Sequence, residues 1–308
     1  MHTWRQAVVG AGVAVALFAG STTLLAQRQF QFFAHFADST GKPITDVKDT
    51  DIQVQEDSVP GKVLKLEPIN WPVKVALLID NGTGSADRLN HTREGVKGLI
   101  KALPPGVEVS LQTTAPQPRY LSRPTTDKGA LLTAVDLLTP DTSAGRFVEG
   151  LIEATARFDK ERADKERGLF FPVIVIVGSL TAEGSSIRDR DVQRMFQQLA
   201  TRAMTTHVVM VGPQNQSGTV NVTNAIQIGI NATKQTGGRY ESIAATTRLQ
   251  TLLPEIGGQI DEADQRQRAQ YRVTFERPAG KEGPQVGGIA LAGEKPMAVK
   301  LSLDGHLP

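Results

Sequence analysis

The sequence predicts an α/β protein: a doubly wound, mostly parallel sheet with helices on both faces, joined to a small antiparallel β module made from both ends of the chain. Three observations predict this. Apolar runs of strand length alternate with helical periodicity across residues 71–268. Val173, Ile174, Val175, Ile176 and Val177 run without a polar break, the pattern of a strand buried on both faces. The flanks instead alternate with period two, Phe30, Phe32 and Phe36 at one end and Tyr271, Val273 and Phe275 at the other.

Residues 1–26 read as a leader for export. Met1, His2, Thr3, Trp4 and Arg5 form a short basic start, Ala7 to Gly20 is apolar and small, and Leu24 and Ala26 fit a cleavage site. The uncharged run is short for a membrane span. The expectation is a periplasmic or secreted chain, with a retained N-terminal anchor as the alternative.

Residues 27–70 form the N-terminal β segment. After Phe30, Phe32 and Phe36 comes a turn at Asp38, Ser39, Thr40, Gly41, Lys42 and Pro43. Ile52 and Val54 alternate with Gln53 and Gln55, Pro60-Gly61 reads as a break, and Val63 and Leu66 follow.

Residues 71–268 hold the α/β unit. Val73 to Ile79 is an apolar strand ending at Asp80; Leu89, Val96, Leu99, Ile100 and Leu103 have helical spacing, stopped by Pro104-Pro105-Gly106. Val107 to Leu111 reads as a strand. Leu131, Val135 and Leu138 mark one helix, and Phe147, Leu151, Ala154 and Phe158 another. After the central strand come a helix with Val192, Phe196 and Leu199, a strand at Val208 to Val211, and a helix with Ile226, Ile228 and Ile230. Tyr240 to Ile243 reads as an edge strand and Leu249 to Arg268 as a last helix. In such sheets the crevice lies at the C-terminal strand ends, which puts Asp80 and Gly178 on the rim.

In residues 269–308 the strand of Tyr271 is followed by alternation at Met297, Val299, Leu301 and Leu303. These strands are too few to stand alone and are expected to pair with the N-terminal segment.

Composition narrows the function. Thirty-four Lys and Arg face 32 Asp and Glu, so the charge does not read as that of a nucleic-acid binder. There is no cysteine, which excludes disulfides, thiolate metal sites and Cys nucleophiles. Aromatics make up 5%, few for a base- or sugar-stacking surface. The sequence has no G-x-S-x-G, H-E-x-x-H or Walker A motif. The five histidines lack metal-ligand spacing, and His207 reads as a packed or rim histidine. The mixed charges from Arg157 to Arg167, including Glu161 with Lys165 and Arg162 with Glu166, read as a solvated helix end. Asn-x-Ser/Thr triplets begin at Asn81, Asn90, Asn215, Asn221 and Asn231.

The order strand, Asp80, Gly/Ser/Thr loop, helix resembles the von Willebrand factor type A domain. The flanks strengthen the likeness to bacterial exported proteins that carry such a domain. They are Gly41-Lys42-Pro43-Ile44 with Asp51-Ile52-Gln53-Val54-Gln55-Glu56-Asp57, and Thr236-Gly237-Gly238-Arg239-Tyr240 before a long helix and Gln270-Tyr271-Arg272-Val273. The resemblance implies a metal-ion-dependent adhesion site: Asp-x-Ser-x-Ser after the first strand, a Thr before a middle helix and an Asp after the central strand. Asp80 matches the first Asp. The two Ser positions fall on Gly82 and Gly84, the Thr on Gly145 and the second Asp on Gly178. The site is degenerate, and Asp80 is expected to cap a helix or organise its loop through backbone N–H groups.

The function expected is therefore an exported, non-catalytic protein-binding or assembly module, without a metal or other cofactor. Its partner would be another protein, not nucleic acid, with no stable membrane insertion once the leader is gone. The expected contact rim is Asp80, Asn81, Thr83, Ser85, Arg146, Ser179, Thr181 and Glu183, with Arg146 offering a cation to an acidic partner group. One alternative is a Mg²⁺-dependent adhesion module with a shifted site of Asp80, Thr83 and Ser85. Another is a hydrolase using Asp80 or Glu183 with a rim hydroxyl.

Overall fold

Phe32, Phe36, Tyr271, Val273 and Phe275 share one buried cluster although they come from opposite ends of the chain. The computed structural model describes residues 7–9, 29–164, 168–213, 220–279, 288–293 and 298–302. They fall into two units: Met1–Asn70 with Gln265–Pro308, and Trp71–Asp264.

The first unit contains β1 (Ala7–Val9), β2 (Gln29–Ala37), β3 (Ile52–Glu56) and β4 (Val59–Pro68) from the N-terminal side. The second contributes β5 to β10 and is described below. The C-terminal strands of the first unit are β11 (Gln270–Glu276), β12 (Ile289–Gly293) and β13 (Ala298–Ser302). All seven form one antiparallel sheet in the order β1-β12-β3-β4-β11-β2-β13. β11 sits between β4 and β2, so the last third of the module completes the first. Alternation drives one face together: Phe32 and Phe275 meet edge to face at 5.9 Å, and Phe36 and Tyr271 at 5.7 Å. On the same face, the Val47 amide donates to the Tyr271 hydroxyl.

Pro60-Gly61 does not break the strand. The chain turns earlier, at Asp57 and Ser58, both at positive φ, and Pro60 and Gly61 lie inside β4. Gly61 is needed there because a Cβ would fall 2.7 Å from the Phe275 ring. Within the expected leader, Ala7–Val9 pairs antiparallel with Ile289–Leu291; the rest of residues 1–26 lies outside the described residues, as do Asn215, Lys165 and Glu166.

The second unit carries β5 (Val73–Ile79), α1 (Leu89–Ala102), β6 (Glu108–Thr113), β7 (Arg119–Thr125), α2 (Lys128–Asp136) and α3 (Phe147–Ala163). It continues with β8 (Phe171–Ser179), α4 (Asp189–Thr201), β9 (Thr205–Val211), α5 (Val220–Thr236), β10 (Tyr240–Ile243) and α6 (Leu249–Arg268), whose last four residues belong to the first unit. The sheet order is β10-β9-β8-β5-β6-β7, parallel except for the β6–β7 pair. Ala76, Leu78, Ile174 and Ile176 pack against α3, α4 and α5. The alternate residues Val75, Leu77 and Ile79 are equally buried, and in the opposite layer α1 meets α6 where Gly98 faces Pro254 and Gly257 faces Leu99 and Ala102. Two-sided burial is why β5 and β8 read as continuous apolar runs. The antiparallel edge β7 has no such run, because its residues are exposed or half-buried.

The charged end of α3 is not simply solvated. Glu161 pairs with Lys74 at the start of β5, and Asp159 pairs with Arg202 at 2.6 Å. Among the described residues no helix is long and apolar enough to cross a membrane.

Candidate functional site: a strand-end crevice closed around Asp80

Asp80 follows β5 directly, and its amide donates to the Val177 carbonyl at the end of β8. Its carboxylate turns inward. Oδ1 accepts the Gly82 amide at 2.8 Å and the Thr114 hydroxyl at 3.5 Å, and Oδ2 lies 3.5 Å from Nη2 of Arg88. Arg88 closes a single 3-10 turn ahead of α1. Its Nη1 donates to Ser179 Oγ at 3.1 Å, and Ser179 shares a 2.7 Å hydrogen bond with Thr181. Asp80 and Arg88 are each 5% exposed. Burial pushes the Asp80 carboxyl up, opposed by Arg88, the Gly82 amide and the Thr114 hydroxyl. The same burial pushes Arg88 down, opposed by Asp80.

Asn81 stitches three loops. Its side chain donates to the Thr139 carbonyl and accepts the Ala115 amide; its carbonyl accepts the Asp141 amide and the Ser85 hydroxyl. At 1% exposure its amide is not available as a glycosylation acceptor in the folded chain. Thr83 ties to the same strap, donating its amide to the Ser143 carbonyl and its hydroxyl to the Thr142 carbonyl.

A second clamp holds the loop after β8. Glu183 accepts the Phe147 amide at 3.0 Å, at the start of α3, and the Ser185 amide at 2.9 Å. Glu149 accepts the Ser186 amide and pairs with Arg146 at 3.0 Å. Desolvation raises the Glu183 pKa, with Asp80 adding to it, against the hydrogen bonds from Ser185 and Phe147. A carboxylate over the first turn of a helix is favourably placed.

The structure thus divides the eight expected rim residues. Asp80, Asn81, Ser85 and Ser179 are buried and bond other parts of the protein, so their side chains frame the crevice instead of facing a partner. Thr83 and Thr181 are exposed, and Arg146 and Glu183 half-buried. Arg146 pairs with Glu149, and the guanidinium at the Asp80 carboxylate is that of Arg88. Asp80 is no helix cap, but it does organise its loop.

The chain resembles von Willebrand A domains. Sequence comparison finds no matching protein family and no matching curated relative. Solved structures do match. One is the SpRpn10 VWA domain, at 18% identity over 61% of this chain and 97% of that one, with a TM-score of 0.46. A von Willebrand factor type A protein from Catenulispora acidiphila matches at 10% identity over 90% of this chain and 74% of that one, with a TM-score of 0.48. An aerotolerance-related membrane protein from Bacteroides fragilis matches at 12% identity, 61% and 99% coverage and a TM-score of 0.43.

At three of the four glycine positions matched to adhesion-site ligands, a side chain would collide with its surroundings. A Cβ on Gly145 would lie 2.1 Å from Asp80 Oδ1, and one on Gly82 would lie 2.4 Å from the Gly145 nitrogen. A Cβ on Gly178 would lie 2.7 Å from both Met210 Sδ and Phe147 Cδ2. At Gly82 and Gly178 backbone and core fill the space where ligand side chains would sit, and at Gly145 the Asp80 carboxylate does; Gly84 has room, with Thr181 Oγ1 at 3.4 Å, but lies at φ +79°. The shifted set does not converge either: Thr83 donates to Thr142, Ser85 donates to Asn81, and Asp80 faces a guanidinium. These residues do not fit a Mg²⁺ site, which needs several oxygen ligands at short range around one point. Among the described residues there is also no cluster of three His, Asp or Glu suited to a metal.

Arg88 was not legible as a site residue. It lies eight positions from Asp80, in a turn that sequence periodicity does not register, and only the fold of loop 80–88 brings the two together.

Proposed function

We propose that this chain is an exported, non-catalytic protein-binding or assembly module whose strand-end crevice works without a metal ion. The observation that carries the reading is the buried Arg88–Asp80 pair with Ser179 on its far side. A guanidinium there supplies the positive charge that a metal-dependent crevice takes from its ion. Among the described residues, the rim carboxylates and hydroxyls that a hydrolase would need are engaged with backbone amides, carbonyls and Arg88, which supports a non-catalytic reading. Contact falls to the exposed parts of the rim, Thr83 and Thr181, with Arg146 and Glu183 beside them.

The test is affinity capture on the full chain from an exported extract, with EDTA present throughout. A partner retained in EDTA and lost from Thr83→Lys and Thr181→Lys variants supports the reading. A partner that needs added Mg²⁺, a rise in melting midpoint with Mg²⁺ that Asp80→Ala abolishes, or turnover of ester, phosphate or peptide substrates overturns it.

A further inference from the structure

We propose that the outer edge of β7 is a docking strand for an extended, carboxylate-rich segment of a partner protein. This site is separate from the strand-end crevice and does not depend on the reading above. β7 is the terminal strand of its sheet, pairing only with β6 among the described strands. An edge strand leaves every second pair of backbone N–H and C=O groups without a ladder partner, and an extended peptide can take them by adding a strand.

The side chains around this edge specify the sign of the partner. β7 carries Arg119, Tyr120 and Arg123, and α3 brings Arg157 to the same ring. The Arg123 and Arg157 guanidinium carbons lie 5.7 and 5.1 Å from the centre of the half-buried Tyr120 ring. Cation–π contact holds each one there, but it gathers like charges. Among the described residues no carboxylate lies within ion-pair distance of Arg119, Arg123 or Arg157. Arg119 donates only to the Thr113 hydroxyl at 3.4 Å, and Arg157 to Gln112 Oε1 at 3.3 Å. Nη2 of Arg157 is buried with no acceptor.

Two neighbouring acids feel the group electrostatically, but neither forms an ion pair with it. Glu153, one turn before Arg157, has its pKa raised by burial and by Glu149 in spite of Arg157. Asp141 is drawn by Arg119 but spends its carboxylate on the Ser143 amide. Because the whole chain carries a formal charge of only +2, the concentration is local. Carboxylates arriving on an extended segment would relieve the repulsion among these guanidinium groups. A lone tyrosine offers no run of stacking faces for bases, whereas a free strand edge matches a peptide backbone.

Charged residues and Pro124 on an edge strand also serve simply to keep edges from pairing, and the experiment separates the two roles. A fluorescein-labelled peptide of about eight alternating Glu and Val residues, a length that matches a strand, is titrated into the full chain and followed by anisotropy. A Lys/Val peptide is the control. The expected result is saturable binding of the Glu/Val peptide alone, weakened at least about tenfold by R119E/R123E, with slower amide exchange in residues 119–125. The same loss should follow on the unaltered chain when NaCl rises from about 50 to about 500 mM, which keeps the test valid if the double variant does not fold. Absent binding, equal affinity for the Lys/Val peptide, insensitivity to both salt and charge reversal, or protection away from β7 overturns the proposal. So does a dimer that occupies the β7 edge with a second copy.

Discussion

The Arg88 guanidinium lies 3.5 Å from the Asp80 carboxylate, with side-chain exposures of 6% and 3%. A charge pair this deep is worth keeping intact more than it is worth having, because either partner left alone is a buried, unneutralised charge. Arg88→Met should therefore cost about 3–5 kcal/mol in urea unfolding at neutral pH. The loss should shrink as pH falls, since protonation neutralises the stranded Asp80 carboxyl. Adding Asp80→Asn to Arg88→Met should recover part of the stability. A double variant as unstable as the sum of the two singles would contradict the pairing.

Gly145 is held small by Asp80. Gly145→Thr restores the residue that the resemblance implies at that position, yet its Cβ would lie 2.1 Å from Asp80 Oδ1. The substitution should cost about 3 kcal/mol through overpacking, and the melting midpoint should stay the same with EDTA or Mg²⁺. A Mg²⁺-dependent gain would mean that the loops can reopen into a metal site.

Glu183 ties the β8–α4 loop to the start of α3 by accepting the Phe147 amide, and braces its own loop by accepting the Ser185 amide. Glu183→Gln keeps one oxygen acceptor and turns an NH₂ toward the other amide. The expected cost is about 1–2 kcal/mol, with faster amide exchange in residues 183–188. Unchanged exchange there would show that the loop holds without the clamp.

His207, in β9, accepts the Arg239 amide on Nδ1, and burial, with Arg239 nearby, lowers its pKa from 6.5 to about 4. The unfolded chain then binds the proton more readily, so stability is full above about pH 6.5 and drains as pH falls toward 4. The span corresponds to about 3 kcal/mol. His35, also lowered by burial and by Lys300 and Arg266, adds the same sign. His207→Gln keeps an acceptor for Arg239 and should flatten much of this slope in denaturant titrations at successive pH values. An unchanged slope would remove His207 as its source.

Much of the architecture is legible in the sequence alone. The buried run in β8, the helical spacing of Leu89 to Leu103 and the paired alternation at the two ends each repeat a simple periodicity, and each became the element it predicts. What failed was local. Pro60-Gly61 looks like punctuation, but the turn belongs to Asp57-Ser58, and Gly61 instead makes room for a ring supplied by β11. β7 was invisible because an edge strand needs no apolar run, only a neighbour with free hydrogen-bonding groups.

The crevice divides the same way. The sequence by itself determined that one carboxylate, Asp80, stands at the strand ends and that glycines replace the side chains expected around it. Composition and order carry that much. Only the tertiary structure decided that those glycines let loops 80–85 and 143–146 close on each other, that Arg88 swings in to neutralise Asp80, and that Ser85 and Ser179 face inward. Periodicity reports which face of an element is buried, but hydrogen-bond partners in loops are chosen by backbone paths that no repeat encodes.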